Sequence, residues 1–483
     1  MSELKIIGKI DLNEYMRGRE VPVRDGGVFK VMEIRSSFYG HEAITFDFGD
    51  PLDSETSKGG YFTLLLGKNG VCKSSLFREL IEFFIDARGR STRVKKNHVV
   101  IDYVKYAIDG HIYQLERQKK KIIYYKDDEI VDKKLVEFPL IIASTMGMFD
   151  KFPINSKPTY NNGRYNSEFY RYVGPKASSN MFTSKSNVLL QQMSTLSDIN
   201  SENQLEMLSV ILQFIGYEPR LTFSFQTRDG NSKQKYVISP DLDREHLYYY
   251  QTIDDGNSHT LDVCFNKDNL DAVKALPLNS LYVLRQYGLI KNLKCIFYNN
   301  GEEVYADSLS SGEFNLLSIV SSVILAANNQ RLLLLLDEPE ISQHPNWQLD
   351  LIPNLEKALI DYGCHFLIAT HCHFLVSNLP LKRSNVVCMS RNKENEIKAE
   401  SIPSETYGWS AEEVLIKAFG VPTDRNRYLA KQVSDFLKAI GDKSIEYKVV
   451  NKELEFFKET TTHLNSVDPM KRILDTIIQK FDS

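Results

Sequence analysis

The sequence predicts an α/β fold, a mixed sheet with flanking helices, carrying a large inserted α+β region and followed by a helical C-terminal region. Three observations carry that prediction. The apolar, β-prone run Tyr61–Leu66 passes through a glycine-bearing turn into an amphipathic helix from Ser75 to Ala87. A second apolar run, from Arg331 to Leu336, ends in adjacent carboxylates. A third, from Phe366 to Thr370, ends in His371. Apolar runs this continuous are what strands of a parallel sheet look like when both faces are covered by helices.

Composition narrows the class. A chain of 483 residues accommodates two or three domains, and 42% hydrophobic with 25% charged residues is ordinary for a soluble globular protein. No run of about 18 apolar residues occurs, and Met1-Ser-Glu-Leu4 opens without a basic and apolar leader, so a cytoplasmic protein without membrane contact is expected. The six cysteines, Cys72, Cys264, Cys295, Cys364, Cys372 and Cys388, include no CxxC pair and read as reduced thiols. Fifty-nine basic residues against sixty-three acidic ones leave a net charge of −4, so nucleic-acid contact would need a local patch.

In chain order, residues 1–87 read as the first part of the core, with short strands at Leu4–Leu12 and Val28–Ile34. The helix after the turn places Leu76, Leu80, Ile81 and Phe84 on one face. Residues 88–300 read as the insertion. Its strands Val99–Ile108, His111–Gln118 and Lys121–Lys126 alternate, with turns at Asp109-Gly110 and around Gln118–Lys120. The segment Ile154–Asn187, rich in Asn, Ser, Tyr, Lys and Arg, reads as a loop. Leu205, Leu208, Ile211 and Leu212 predict a helix over Glu202–Phe214, and Leu270–Tyr287 a second helical stretch; sustained heptads are missing. Residues 301–400 complete the core. In 401–483, Ser410 and Glu413 form a capping box before Val414, Leu415 and Phe419. Asp468-Pro469 opens a last helix with Met470, Ile473, Leu474, Ile477, Ile478 and Phe481 in one stripe, read as packing within its own domain, with self-association or partner docking as the alternative.

The turn after the first apolar run is Gly67-Lys68-Asn69-Gly70-Val71-Cys72-Lys73-Ser74-Ser75, a phosphate-binding loop between strand and helix. Its backbone N–H groups and the helix start would surround the phosphates of ATP, Lys73 would reach the β/γ oxygens, and the Ser74 hydroxyl would bind Mg²⁺. Cys72 stands where the spacing calls for glycine. A Cβ there is expected to perturb the cradle modestly, leaving Lys73 and Ser74 in place and slowing hydrolysis. Asp337, delivered by the second run to the sheet edge, is placed to hold Mg²⁺ through water, and Glu338 to orient or deprotonate the attacking water.

Leu309-Ser310-Ser311-Gly312-Glu313 opens another helix, with Phe314, Leu317, Val320 and Ile324 in register. Here the chain resembles the ATP-binding-cassette (ABC) ATPases, whose signature motif docks on the nucleotide of a second subunit. Ser310 and Gly312 match that motif; Ser311 and Glu313 depart from its glycine and glutamine. The resemblance implies a homodimer or higher homo-oligomer with composite ATP sites, and gives His371 the family's switch role at the γ-phosphate. A zinc site from Cys364, His365, Cys372 and His373 is disfavoured, because residues alternate faces along a strand and paired ligand spacing is lacking. Ala143–Gly147 is the nearest counterpart of the family's glutamine loop. Arg35 resembles a position near the nucleotide in the DNA-repair branch, with a solvated arginine as the alternative.

Asp337-Glu338-Pro339-Glu340 with His344-Pro345 shortly after it is similar to the RecF-like and OLD-like branch, over residues 1–87 and 300–391. OLD-type nucleases continue into a carboxylate-rich cleavage domain; here about eighty mostly helical residues come next, with no nuclease motif. The pattern, with Tyr407–Glu413 and Arg425-Asn426, resembles the ATPase subunit of Septu-type two-gene anti-phage systems, which implies a separate HNH-type nuclease partner. Two alternatives stand beside it. One is a repair ATPase touching DNA through Arg88, Arg90, Arg93, Lys95 and Lys96. The other is a scaffold that senses ATP without turning it over.

Overall fold

The computed structural model describes residues 29–50, 60–89, 98–119, 121–145, 147, 151–154, 169–174, 176–178, 181–182, 184–199, 202–227, 243–253, 257–326, 331–341, 343–358, 363–394, 396–402, 406–409, 414, 427–441, 454–461 and 469–482. They fall into two compact units, 1–409 and 410–483. The expected strand Leu4–Leu12, the capping box at Ser410 and Glu413, and Arg90, Arg93, Lys95, Lys96, Arg425 and Asn426 lie outside the described residues.

The first unit opens with β1 (Lys30–Phe38), β2 (Ile44–Asp47), β3 (Tyr61–Gly67) and α1 (Lys73–Ala87). Next come β4 (Val99–Ile108), β5 (His111–Gln118), β6 (Lys121–Lys126), β7 (Glu129–Ile130), β8 (Leu140–Thr145) and β9 (Tyr170–Val173). Two short strands, β10 (Lys176–Ser178) and β11 (Met181–Phe182), precede the helices α2 (Lys185–Met193) and α3 (Glu202–Phe214). After them lie β12 (Arg220–Thr227), α4 (Arg244–Ile253), β13 (Ser258–Cys264), α5 (Leu270–Lys274), α6 (Leu278–Gln286), β14 (Ile290–Asn299) and β15 (Glu302–Tyr305). The chain continues through α7 (Ser311–Ala326), β16 (Leu332–Asp337), α8 (Pro345–Ala358), β17 (Cys364–Thr370), α9 (His373–Ser377), β18 (Ser384–Arg391) and β19 (Ile397–Ser401).

The central sheet has seven strands in the order β19-β18-β3-β17-β16-β8-β9, all parallel except the antiparallel edge strand β19. Its middle is apolar on both faces: Leu332–Leu336 and every residue of β17 are buried. Register brings the strand ends level, with Asp337 opposite Thr145 of β8 and Ala369 of β17. The predicted α/β class is therefore the observed one.

A second, antiparallel sheet runs β2-β1-β4-β5-β6-β7. Its β4–β5 hairpin turns on Asp109 and Gly110, both with positive φ, which matches the right-handed twist of the strands. Helix α1 lies in a core built from both sheets, and buries Phe77, Phe83 and Ile85 beside the predicted Leu76, Leu80, Ile81 and Phe84. A joint with Val31, Thr63 and His365 fully buried crosses between the sheets. His365 of β17 accepts the Val31 N–H of β1 on Nδ1 (3.0 Å) and meets Thr63 Oγ1 of β3 through Nε2 (2.9 Å), while Thr63 donates to Asn385 of β18 (2.5 Å).

The span 88–300, expected as one insertion, divides in space. Strands β4–β7 continue the sheet begun by β1, and β8 and β9 belong to the central sheet. Strands β10 and β11 pair only with each other, a four-stranded sheet, β13-β12-β14-β15, begins only at Arg220, and the helices α2 and α3 ahead of it pack on α7. Gln192 of α2 donates to Ser318 O and Gln204 of α3 to Ile324 O, so buried amides fix that packing. The helical stretch 270–287 is two helices, interrupted at Pro277. The segment expected as a loop over 154–187 contains β9, β10, β11 and the start of α2. Tyr170 and Tyr172 hide their rings in the core while Tyr170 Oη reaches Pro153 O (2.6 Å), so residues polar by composition build a buried strand. Arg88 leaves the expected basic patch: it donates to Pro139 O (2.7 Å) and stacks on Phe138 and Phe169. Arg35 pairs with Asp102 (2.9 Å) within the antiparallel sheet.

The second unit is helical at Arg427–Gly441, 454–461 and Pro469–Asp482 around Val433, Phe436, Leu454, Phe457, Leu474 and Ile477. Pro469 opens the last helix as expected. Of its predicted stripe, Leu474 and Ile477 are buried, Met470 and Ile478 pack at the margin, and Ile473 and Phe481 are exposed.

Candidate nucleotide site

The loop 67–75 joins β3 to α1 at the C-terminal end of the central sheet. Gly67 is required because a Cβ there would lie 2.5 Å from Met389 O of β18. Gly70 takes φ +87 and Cys72 φ +71, so two left-handed residues curve the chain sharply, as left-handed residues do in anion-binding concavities. Cys72 is the residue before α1 and provides no side-chain cap. Its thiol meets Tyr39 Oη (3.3 Å), and Arg391 stacks on the Tyr39 ring while donating to Gly70 O (3.3 Å), so the turn after β1 and the end of β18 both brace the loop. Lys68 and Asn69 are exposed, Val71 is buried, and the Ser75 hydroxyl accepts from Lys151 Nζ (2.7 Å).

Lys73 is buried, with Nζ donating to Gly67 O (2.6 Å) and to His371 Nε2 (2.8 Å). An ammonium only donates, so Nε2 of His371 is the unprotonated nitrogen and the ring is neutral. Burial lowers the His371 pKa, helped by Lys73 and opposed by Glu338. Burial also lowers that of Lys73, against the pull of Glu338, Asp337 and Glu340. Glu338 Oε1 lies 3.6 Å from His371 Nε2. Glu338 itself adopts φ +50 at the turn leaving β16, with its N–H donating to Ala369 O (2.8 Å). Asp337, buried at the end of β16, and Ser74, in the first turn of α1, carry hard oxygen donors of the kind Mg²⁺ takes, an ion that binds few protein ligands and keeps waters and phosphate oxygens.

The structure thus brings Lys73, Asp337, Glu338 and His371 together. Ser310 and Gly312 stand elsewhere, at the start of α7. Ser310 N–H donates to Glu313 Oε2 (2.7 Å) and Glu313 N–H to Ser310 Oγ (3.2 Å), a reciprocal cap. Among the described residues, no hydrogen bond joins Ser310 or Gly312 to residues 67–75, 337–340 or 371. Helix α7 does touch the carboxylate loop: buried Asn315 donates to Pro339 O (2.7 Å). Both ring nitrogens of His365 are engaged in the sheet joint, which removes it as a metal ligand.

One residue escaped the sequence reading. Glu340 Oε1 accepts from Thr370 Oγ1 (2.7 Å) and from the His371 N–H (2.9 Å). The Asp-Glu-Pro-Glu pattern contains it, yet only the pairing of β16 with β17 discloses its partners.

Several known proteins are similar to this chain. It is 21% identical over 198 residues to the Septu protein PtuA of Bacillus thuringiensis, an alignment covering 38% of this chain and about half, 48%, of that relative. Among solved structures, it is similar to an SMC head bound to the C-terminal winged-helix domain of ScpA, at 12% identity over 77% of this chain and 97% of that one, with a TM-score of 0.36. The SMC head domain of Thermotoga maritima matches at 10% identity over 78% and 100%, with the same TM-score of 0.36. Residues 38–376 match the family model of the AAA ATPase domain (AAA_15), and the chain belongs to that family.

Proposed function

We propose that the chain binds Mg-ATP on the loop 67–75 and hydrolyses it slowly, with Glu338 as the base and His371 as the group facing the γ-phosphate. The juxtaposition of Lys73 Nζ, His371 Nε2 and Glu338 Oε1, with His371 Nε2 at 2.8 Å from the first and 3.6 Å from the last, carries this reading. Mg²⁺, when bound, would neutralise charge on the phosphate oxygens, and Asp337 and Ser74 are the residues that would hold it. Lys73 adds a fixed positive charge, the N–H groups of the loop orient the phosphates, and Glu338 draws a proton from the attacking water. Glu338→Gln is expected to retain ATP binding and lose turnover by about 100-fold, measured by equilibrium binding and phosphate release. Unchanged turnover would refute the assignment.

The similarity to PtuA and the position of the α7 start support a finer reading: copies of this chain share composite sites through Ser310 and Gly312, and the assembly regulates a separate HNH-type nuclease in anti-phage defence. Co-purification with a nuclease encoded beside it tests the partnership. One observation favours a second reading, the ATP-sensing scaffold: a residue with a Cβ holds the left-handed conformation at position 72, where the loop's spacing calls for glycine. Measured turnover separates the two.

A further inference from the structure

We propose that Glu340 is the positioning residue of the switch histidine, clamping the end of β17 so that the His371 ring faces Lys73 and Glu338. This rests on the reading of His371 given above. Glu340 lies in the turn after β16, and its Oε1 accepts from Thr370 Oγ1 (2.7 Å) and from the His371 N–H (2.9 Å). Thr370 Oγ1 in turn accepts the Cys372 N–H (2.9 Å). The backbone is thereby held on both sides of a ring that is itself a third exposed. A second tie spans the same segments: Gln348 of α8 donates to Glu340 O (3.4 Å) and Gln343 O (3.1 Å), and its Oε1 accepts from Cys372 Sγ (3.3 Å).

Backbone position decides where the ring points. An error of about 1 Å at a reacting group costs up to about 100-fold in rate. The ring's own contacts, Lys73 and Glu338, belong to the machinery that has to engage nucleotide, so a fixed support must come from outside it. Among the described residues the buried Oε2 of Glu340 has no hydrogen-bond partner, so the clamp runs through Oε1 alone. Glu340→Gln keeps an acceptor there and is the conservative variant.

The test compares Glu340→Ala, Glu340→Gln, His371→Ala and the Ala double variant in the full chain. Hydrogen exchange of the peptide spanning His371, measured without nucleotide, reads the clamp directly. Glu340→Ala should raise exchange of the His371 amide by about tenfold and lower kcat by about tenfold, with KM for ATP within about twofold. Glu340→Gln should restore both. The double variant should be no slower than His371→Ala, because Glu340 acts through that ring. Wild-type exchange in Glu340→Ala, or losses that multiply in the double variant, would overturn the proposal. Should Glu340→Ala fail to fold, Glu340→Asp, one methylene too short to reach, must give the same two changes. Wild-type turnover in His371→Ala would instead sink the role given to the histidine, and the exchange measurement would still decide on the clamp.

Discussion

At the scale of single residues, the loop shows what a glycine position costs when another residue holds it. Cys72 takes φ +71, where a Cβ crowds the following carbonyl and costs about 1–2 kcal/mol. Its thiol gains the Tyr39 hydroxyl in exchange. Cys72→Gly is expected to stabilise the chain by about 1 kcal/mol, read as a raised urea midpoint at unchanged slope, and to quicken turnover. Turnover that stays the same would separate the cysteine from the rate. The sequence made this residue conspicuous because the loop's spacing is strict. Glu340 was legible only as part of a pattern, since its work depends on Thr370 and His371, thirty residues away along the chain. Arg88 misled for a related reason: a charge run looks solvated until the rings of Phe138 and Phe169 are seen beneath it.

Among elements, those with unbroken apolar runs were plain in the sequence. Strands β3, β16 and β17 and helix α1 are legible from hydrophobic patterning alone, whereas β9 was hidden because tyrosines score as polar while their rings pack. The joint at His365 was hidden too, since it unites β1, β3, β17 and β18 from four distant segments. It makes a prediction about acid. Burial, with Lys30 close by, holds the His365 pKa well below the ordinary histidine value of 6.5. Val31 N–H points at Nδ1, Nε2 meets Thr63, and Asn385 lies behind Thr63, so no acidic partner in this network welcomes a second proton. The unfolded chain takes up that proton below its own pKa and the native chain does not. This contribution is therefore complete above about pH 6.5 and falls as pH drops, by about 1.4 kcal/mol at one unit below. Urea titrations at about pH 7.5 and about pH 5.5, on the natural chain and on His365→Gln, read the difference; identical pH dependence in the two would refute it.

For the whole molecule, the ends of the parallel strands gather the residues proposed to hold nucleotide from stretches of chain far apart, while among the described residues Ser310 and Gly312, at the start of α7, make no hydrogen bond into that cluster. The composite sites proposed above would take Ser310 and Gly312 from a second copy. ATP, with Glu338→Gln to prevent its loss, is expected to raise the measured mass by at least one further copy, and a mass indifferent to ATP would refute shared sites. How the span 88–300 distributes itself over four sheets was not legible, because strand pairing over such separations leaves no local trace in composition or period. The run Leu332–Leu336 has a consequence of its own. Five identical residues, apolar to either side, carry no internal mark of alignment, so a shift by one position would exchange leucine for leucine at no loss of burial. Only the ends can act as gauge: Arg331, paired with Asp109, and Asp337, level with Thr145 and Ala369. Deleting one leucine should leave a cooperatively folded protein that has drawn its carboxylates back by about 3.3 Å, the rise of one strand residue. Such a protein would hold its thermal transition and forfeit hydrolysis, and loss of the transition instead would show that the leucines themselves keep the alignment.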